Sequence, residues 1–374
     1  MDRFQKDLIV KDLERKIVIL SGPRQVGKTW LSKNIGQSFL NPVYLNYDAI
    51  DHRNVIEARS WLPKTDLLVL DELHKMDHWK SYLKGIYDTK EDHLSILVTG
   101  SARLETFRGA GDSLAGRYFH HQLLPLSLAE IPNARPTDLD DLLSLGEFPE
   151  PFLSSSLPES ARWRLQYIDG LIREDILDFE KVHDFKKIQL TLDLLRKRVG
   201  SPLSYKSIAD DISASPNTVK RYVEIFEALF IIFRVTPYSK NIARSLLKEP
   251  KIYFYDTGMV DGDDGVKFEN HVAMSLLKHL KMHQEKSGKR AELMYLRTKE
   301  RKEIDFCRVL DGQIFDACEV KLSDSKISKN IKFFKERYSF PMQQIVKNLR
   351  VERVDEGIEV RRGFDFLRSL ANGP

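Results

Sequence analysis

The sequence has few features of a secreted or membrane-bound protein. Among its 374 residues are only two cysteines, Cys307 and Cys318, too few for a fold held together by several disulfides, so we expect both thiols to be reduced and buried. Its longest uninterrupted apolar run, residues 228–233, is far shorter than the roughly 20 residues that span a bilayer. Residues 1–16 are strongly charged and contain no apolar stretch like that of a signal peptide. We therefore expect a soluble, cytoplasmic protein that has no membrane partner.

The net charge is also small. The chain has 59 Lys and Arg residues against 55 Asp and Glu residues, a formal net charge of +4 at pH 7. This balance permits a nucleic-acid partner but does not indicate one, because a local basic patch matters more than the total. A composition of 42% hydrophobic and 30% charged residues excludes general disorder. The length suits two or three domains.

A phosphate-binding loop follows the first apolar segment. Residues 17–20 are typical of a buried strand, residues 22–29 match the P-loop pattern, and residues 30–35 are typical of a helix. The loop amides and the ammonium of Lys28 would contact the phosphates, and Thr29 would hold Mg²⁺. A chance glycine loop is the alternative, which this strand–loop–helix context disfavours. The predicted nucleotide-binding residues are Gly22, Pro23, Arg24, Gln25, Val26, Gly27, Lys28, Thr29 and Trp30.

A second apolar strand ends in two carboxylates, Asp71 and Glu72. Asp71 would bind Mg²⁺ through water, and Glu72 would polarise the water that attacks the γ-phosphate. An acidic pair at a strand end can also cap a helix. Together with the upstream loop, however, the pair predicts Mg²⁺-dependent ATP hydrolysis.

A glycine-rich segment, residues 109–116, leads into Arg117. An arginine in this position can reach the nucleotide of a neighbouring subunit and stabilise charge on the transferring phosphoryl group. Arg103 and Arg108 are rival candidates for this role. The alternative is a surface arginine that packs on Tyr118 or on an acidic neighbour.

These motifs resemble those of one large family. The segments 22–29, Leu-Asp-Glu (70–72), Thr-Gly-Ser (99–101), Leu-Ala-Gly-Arg-Tyr (114–118) and Leu-Pro-Leu-Ser-Leu-Ala-Glu (124–130) are similar to those of bacterial and archaeal AAA+ ATPases with an uncharacterised conserved C-terminal region. The resemblance spans nearly the whole chain. It implies ATP and Mg²⁺ as cofactors and a homo-oligomer, with a hexameric ring expected if Arg117 reaches a neighbour's site.

The resemblance also implies a polar sensor of the γ-phosphate at the end of the strand over residues 95–99. Ser101 and Thr99 both fit, and the sequence does not decide between them; a strand followed by an ordinary turn is the alternative. No arginine after residue 135 lies in a second sensor motif. The candidates without a motif are Arg162, Arg164 and Arg173.

The middle of the chain has helical periodicity. Residues 159–182 predict a helix with Leu165 and Leu171 on its buried face. Residues 205–229 predict a helix-turn-helix whose second helix has Ser215 as N-cap and Pro216 at its first position. Residues 230–237 and 252–255 would be the strands of a wing. The exposed start of the second helix would contact DNA or a protein through Asn217, Thr218, Lys220 and Arg221.

The last third contains a set of acidic residues and a lysine in nuclease-like order. Glu269 lies near the start of a predicted helix, Asp305 lies on a strand, and Glu319 and Lys321 share one face of the next strand. The carboxylates can hold Mg²⁺ or Mn²⁺, and Lys321 can orient water for attack on a phosphodiester. Alternating charge on an exposed strand is the alternative explanation. Two further polar candidates nearby are Asp256 and His271, and a basic helix face follows after residue 325.

This set resembles the PD-(D/E)XK nuclease core, with Glu269, Asp305 and Glu319 as metal ligands. The predicted fold class is therefore α/β: an AAA+ P-loop domain over residues 1–132, a helical lid and winged helix over 133–255, and a restriction-endonuclease-like domain over 256–374. One hypothesis is an ATPase that couples turnover to DNA binding or remodelling and cleaves phosphodiesters. The alternative is an ATP-driven oligomeric switch or scaffold whose distal domains bind partners without cleaving them.

Overall fold

The computed structural model describes residues 3–100, 114–176, 184–239, 249–323 and 326–372. The chain divides into two compact units, Met1–Leu124 and Pro125–Pro374, which we call the first and the second unit. The finer division into three domains at residues 132 and 255 stays a prediction. Both cysteines are free and buried, as expected. None of the described helices is long and apolar enough to cross a bilayer.

The first unit is built around a five-stranded parallel sheet in the order β2-β3-β4-β1-β5. Its strands are β1 (Ile17–Ser21), β2 (Pro42–Asn46), β3 (Leu67–Asp71), β4 (Ser95–Thr99) and β5 (Tyr118–Gln122). Its helices are α1 (Lys6–Leu13), α2 (Lys28–Gly36), α3 (Ile50–Ala58) and α4 (Trp79–Thr89). β1 and β3 are buried along their whole length, which explains their continuous apolar sequences. Because parallel strands end at the same sheet edge, the polar residues after β1, β3 and β4 meet there.

The second unit contains an eight-stranded mixed sheet in the order β12-β13-β11-β10-β9-β8-β6-β7. Its strands are β6 (Ile232–Pro237), β7 (Lys251–Phe254), β8 (Ala291–Arg297), β9 (Glu303–Leu310), β10 (Gln313–Lys321), β11 (Met342–Val346), β12 (Arg353–Asp355) and β13 (Ile358–Arg362). Its helices are α5 (Pro136–Leu145), α6 (Pro149–Ser154), α7 (Leu157–Gly170), α8 (Phe185–Arg196), α9 (Tyr205–Asp211), α10 (Pro216–Ala228), α11 (Asp264–Ser287), α12 (Lys329–Lys335) and α13 (Gly363–Ser369).

The helix-turn-helix forms as α9 and α10. Ser215 caps α10 by accepting a 3.0 Å hydrogen bond from the amide of Thr218, and Pro216 is the first helical residue, as predicted. The expected wing strands pair as β6 and β7, but β6 also pairs in parallel with β8, so this hairpin is the edge of the large sheet. A separate winged-helix module therefore stays a prediction.

The predicted buried face of residues 159–182 was wrong at Leu165. Leu165 is 71% exposed, because α7 buries Ser160, Trp163 and Tyr167, which lie on the opposite side of the helix. Leu171 is buried, as expected. It follows α7 and begins a π-helical segment, Leu171–Ile176.

Candidate nucleotide site and acidic site

The P-loop connects β1 to α2 through backbone conformations that glycine favours. Gly22 has φ 146°, and a Cβ there would lie 2.2 Å from the carbonyl oxygen of Leu123. Gly27, with φ 98°, is the N-cap of α2, which begins at Lys28. The strand, loop and helix predicted from the sequence are therefore present. Their amides lie at the start of a helix, where anions bind favourably.

Lys28 is buried inside this loop. Its Nζ donates hydrogen bonds to the carbonyls of Gly22 and Pro23, at 3.0 and 2.6 Å. Burial lowers the pKa of Lys28 to about 8, against the raising effect of the charges on Glu72 and Asp71. Because this pKa is above 7, the ammonium stays protonated at neutral pH and is suited to bind phosphate.

Asp71, at the end of β3, is the centre of a cluster of three hydroxyl groups. Thr29 donates a 2.9 Å hydrogen bond to Oδ2, Tyr44 donates a 2.5 Å hydrogen bond to the same oxygen, and Thr99 donates to Oδ1. The structure thus brings together Thr29 and Asp71, the two predicted Mg²⁺ ligands of the loop. Hydroxyl and carboxylate oxygens are ligands that Mg²⁺ prefers, so this donor set fits the ion. Because the Thr29 proton is directed at Asp71, the lone pairs of its oxygen remain available to a cation.

Glu72 follows Asp71 in a left-handed backbone conformation, with φ 56°. Its amide donates to the carbonyl of Thr99, which ties it to β4. The carboxylate lies 3.5 Å from Nε2 of His74 and 4.0 Å from Nζ of Lys75. Burial, and then the charge on Asp71, raise its pKa. A carboxylate with a raised pKa is a better proton acceptor for catalysis.

The remaining predicted residues of the nucleotide site have different surroundings. The side chain of Val26 is buried, whereas Trp30 is half exposed on α2, and the charge of Arg24 lowers the pKa of Lys28.

Arg117 forms a two-point ion pair with Asp88 of α4, with Nε–Oδ1 at 2.9 Å and Nη2–Oδ2 at 3.1 Å. This is the acidic-neighbour contact of the alternative interpretation, and the trans-acting role stays a prediction. Three candidates lie outside the described residues: Ser101, Arg103 and Arg108.

The acidic site of the second unit begins with Glu269 on α11. Its carboxylate accepts a 2.7 Å hydrogen bond from the hydroxyl of Tyr253. Burial, and then the charge on Asp305, raise the pKa of Glu269 to about 7, although Lys251 opposes this. A Cβ on Gly200 would lie 2.7 Å from the Glu269 carboxylate, so the backbone approaches it closely.

Lys251 is an unpredicted member of this site. It is 2% exposed, and its Nζ lies 2.7 Å from Oε1 of Glu303 and 3.8 Å from Oδ1 of Asp305. Burial alone would lower the pKa of Lys251, but the charges on Asp305, Glu269 and Glu303 raise it above its usual value. Lys251 therefore offsets part of the negative charge that these carboxylates concentrate.

The predicted strand residues occupy the end of the β9–β10 pair. Asp305 Oδ2 accepts a 2.8 Å hydrogen bond from the amide of Val320, which fixes it against β10. Lys321 Nζ lies 2.8 Å from Oε1 of Glu319. Glu319 is 4% exposed, and its Oε2 is buried without a hydrogen-bond partner. Burial and the charge on Asp305 raise the pKa of Glu319.

A carboxylate oxygen left unpaired in a buried position fits a cation ligand. Within the described parts of the chain, however, no three His, Cys, Asp or Glu side chains converge into a group that could hold a metal ion. The charge on Asp305 raises the pKa of both Glu269 and Glu319, but the three carboxylates do not form such a group. Asp305 and Glu319, at the end of the β9–β10 pair, are therefore the residues that suit a metal ion.

A separate buried polar network involves Asp256 and His271, the two further candidates. His271 Nδ1 lies 2.8 Å from Glu147, which also accepts a 2.5 Å hydrogen bond from the amide of Thr257. Asp256 accepts from the amide of Glu147 and from Arg164, at 3.1 and 3.2 Å. Burial raises the pKa of both carboxyls to about 7 and lowers that of His271 to about 3. Arg164, a sensor candidate, is thus tied into the interior of the second unit.

Sequence reasoning missed Tyr44, Lys251 and Glu147. Tyr44 lies in an edge strand with no motif, and Lys251 immediately precedes a predicted strand. Glu147 is far from Asp256 in sequence. No local pattern indicates such contacts, because they depend on strand order and on helix packing.

Three family models match the chain in succession. Residues 14–132 match an AAA domain, residues 136–262 match a domain of unknown function (DUF8612), and residues 264–369 match a domain of unknown function (DUF4143). The last match covers Glu269, Asp305, Glu319 and Lys321 and names no activity for them.

Several curated proteins are similar over most of the chain. Uncharacterized proteins of Mycobacterium bovis and Mycobacterium tuberculosis are each 24% identical over 323 residues, which is 84% of this chain and 73% of theirs. An uncharacterized protein of Methanocaldococcus jannaschii is 22% identical over 400 residues, covering 95% of this chain and 86% of its own.

Two solved structures share a general likeness. One is a Walker-type ATPase of Pyrococcus abyssi, 12% identical with a TM-score of 0.41 over 68% of this chain and 93% of that one. The other is a signal transduction ATPase with numerous domains (STAND) from Pyrococcus horikoshii, 14% identical with a TM-score of 0.24 over 76% and 47%. We draw no conclusion from either likeness. Residues 14–132 thus match an AAA domain model, and the loop geometry within them is that of a phosphate-binding P-loop.

Proposed function

We propose that the first unit hydrolyses ATP in a Mg²⁺-dependent reaction at the P-loop. One observation carries this proposal: the hydroxyl of Thr29, beside the buried ammonium of Lys28, is hydrogen-bonded to Asp71 at 2.9 Å. A loop ammonium, a helix-start hydroxyl and a strand-end carboxylate are the groups that a Mg²⁺–nucleotide complex requires.

Each residue has a distinct role in this proposal. Lys28 and the loop amides bind the β- and γ-phosphates. Thr29 and Asp71 would hold Mg²⁺, which when bound neutralises charge on those phosphates. Glu72 orients the attacking water and accepts its proton, for which its raised pKa suits it. Thr99 anchors Asp71, and a contact of Thr99 or Ser101 with the γ-phosphate belongs to the same proposal.

Two substitutions separate binding from chemistry. Lys28→Ala should abolish both nucleotide binding and phosphate release, because it removes the charge that holds the phosphates. Glu72→Gln should retain binding and lose phosphate release, because an amide cannot accept the proton from water. Undiminished turnover in either variant would exclude the assigned role of that residue.

We propose as a second activity that the second unit cleaves DNA phosphodiesters with Mg²⁺ or Mn²⁺. The buried, unpartnered Oε2 of Glu319, next to Lys321 and the anchored Asp305, is the observation that favours it. Asp305 and Glu319 would hold the ion, which when bound polarises the phosphodiester, and Glu269 as a third ligand stays a prediction from the sequence. Lys321 would orient the attacking water.

Plasmid digestion by the full chain with Mg²⁺ or Mn²⁺ tests this activity. Asp305→Ala and Glu319→Gln should abolish cleavage, whereas the control Glu292→Gln, on β8 and paired with Arg290 at 2.9 Å, should not. Equal digestion by all four proteins would show that the cleavage comes from elsewhere. No digestion by the parent would favour the alternative, an ATP-driven switch or scaffold.

DNA contact through α10 would link the two activities. Asn217, Lys220 and Arg221 are exposed near the start of α10, and Thr218 is half-buried there. If DNA binds at this helix, DNA should stimulate phosphate release, and Lys220→Ala should reduce that stimulation without changing the basal rate.

A trans-acting Arg117 requires a homo-oligomer, which the family resemblance implies is a hexamer. Light scattering with and without ATP measures the size of this oligomer.

A further inference from the structure

We infer that Tyr44 is a positioning residue of the Mg²⁺ site, acting through Asp71; this inference rests on the proposed ATPase activity. The Tyr44 hydroxyl donates a 2.5 Å hydrogen bond to Oδ2 of Asp71, the oxygen that also accepts from Thr29. No motif places a tyrosine here. The contact arises because β2 lies beside β3 in the sheet.

Neighbouring elements hold Tyr44 in place from two sides. β2 and β3 are paired in parallel with Asn46 opposite Asp71, so Tyr44 lies two residues before the level of the carboxylate. The ammonium of Lys33, on α2, lies 4.7 Å from the centre of the Tyr44 ring. α2 is also the helix that begins with Lys28 and Thr29. The tyrosine is therefore packed between the strand that bears Asp71 and the helix that bears Thr29.

The hydrogen bonds determine how many acceptor positions of the Asp71 carboxylate remain for a hydrated cation. An ionised carboxylate has about four acceptor positions, two on each oxygen. Tyr44 and Thr29 use both positions on Oδ2, and Thr99 uses one on Oδ1. Counting only donors among the described residues, one position on Oδ1 remains for a cation-bound water. Without the Tyr44 hydroxyl, Oδ2 regains an acceptor position and the carboxylate loses one of the three anchors that orient it.

Partners that orient a ligand in this way commonly change metal affinity by about 10- to 100-fold when they are removed. Phosphate binding depends on the loop amides and on Lys28, none of which contacts Tyr44 through a described hydrogen bond. Removing the Tyr44 hydroxyl should therefore weaken Mg²⁺ binding and leave metal-free nucleotide binding intact. A merely structural role would weaken both.

The test is Tyr44→Phe in the full chain, with Tyr47→Phe as the matched control. Tyr47 follows β2 and donates a 3.0 Å hydrogen bond to a different carboxylate, Glu57. Binding of mant-AMPPNP, a fluorescent non-hydrolysable nucleotide, is measured in EDTA and then as a function of Mg²⁺. Circular dichroism melts check that each variant is folded.

The inference predicts about a tenfold higher half-saturating Mg²⁺ concentration for Tyr44→Phe, with nucleotide affinity in EDTA unchanged and Tyr47→Phe like the parent. Parent-like Mg²⁺ dependence of Tyr44→Phe would overturn it. So would an equal loss in both variants, or a parallel loss of affinity in EDTA. Failure of the parent to bind mant-AMPPNP at all would instead refute the proposed ATPase.

Discussion

Replacing Gly22 by alanine would place a Cβ against backbone atoms in the nucleotide site. The added Cβ would lie 2.2 Å from the carbonyl oxygen of Leu123, well inside the 3.0 Å below which real Cβ atoms are essentially never found. The obstacle is backbone, and the amide of Leu123 donates a 2.9 Å hydrogen bond to Ser21. Relief of the clash must therefore separate the ends of β1 and β5.

The magnitude follows from two costs. A side chain at φ 146° adds roughly 1–3 kcal/mol of backbone strain, and forcing an extra atom into a packed site adds about 1–3 kcal/mol. Together we expect Gly22→Ala to lower the free energy of unfolding by about 2–6 kcal/mol. It should also displace the loop amides and abolish nucleotide binding.

Gly116 provides a matched control in the same unit. It also has a positive φ, 80°, but a Cβ there would meet nothing within 4 Å. Gly116→Ala should therefore cost only the strain, about 1–2 kcal/mol, and should retain nucleotide binding. Urea unfolding and mant-AMPPNP titration measure both variants. Equal stability and equal nucleotide affinity in the two variants would refute the reasoning.

Three further predictions concern other residues. The loss of stability caused by Glu147→Gln should shrink as the pH rises from 4.5 to about 7, because a carboxyl with a raised pKa favours folding only while it is protonated. Urea unfolding across this pH range measures the loss, and a loss that does not change with pH would contradict the prediction. Lys251→Met should lower the free energy of unfolding by roughly 3 kcal/mol, because it removes the buried ammonium that pairs with the Glu303 carboxylate. An unchanged midpoint of urea unfolding would exclude this loss of stability. Arg117→Ala should reduce the rate of phosphate release by on the order of 10³-fold, whereas Asp88→Ala should not, since only the first substitution removes the guanidinium. Equal rates of phosphate release in both variants would show that Arg117 has no trans-acting role.

The nucleotide site was the part most accessible from sequence. The P-loop is a local pattern, so residues 22–29 predict their own turn and the start of α2. The meeting of Thr29 with Asp71 follows from one general rule, that parallel strands end at the same sheet edge. Tyr44 could not be found in this way, because nothing in the sequence says that β2 lies next to β3.

The second unit shows where such reasoning ends. The order of Glu269, Asp305, Glu319 and Lys321 predicted one site, and the last three lie at the end of the β9–β10 pair. The sequence did not indicate Lys251, because its partners lie more than fifty residues away on β9. The pairing of β6 with β8 could not be predicted for the same reason, since it joins segments far apart in the chain.

Leu165 illustrates the limit of helical periodicity. Several faces of α7 carry apolar residues, and the aromatic side chains of Trp163 and Tyr167 occupy the buried one. Trp163 and Tyr167 stack with their ring centres 4.8 Å apart, and Phe148 packs 5.1 Å from each of them. Larger side chains bury more apolar area, and so they determine which face turns inward.

Isothermal titration of the folded 374-residue chain with ATP and Mg²⁺ tests the central claim most directly. We predict a saturable heat of binding that Lys28→Ala abolishes, because the buried ammonium and the loop amides form the phosphate site. Absence of any binding heat in well-folded protein, together with absence of mant-AMPPNP binding, would contradict the claim that residues 22–29 bind a nucleotide.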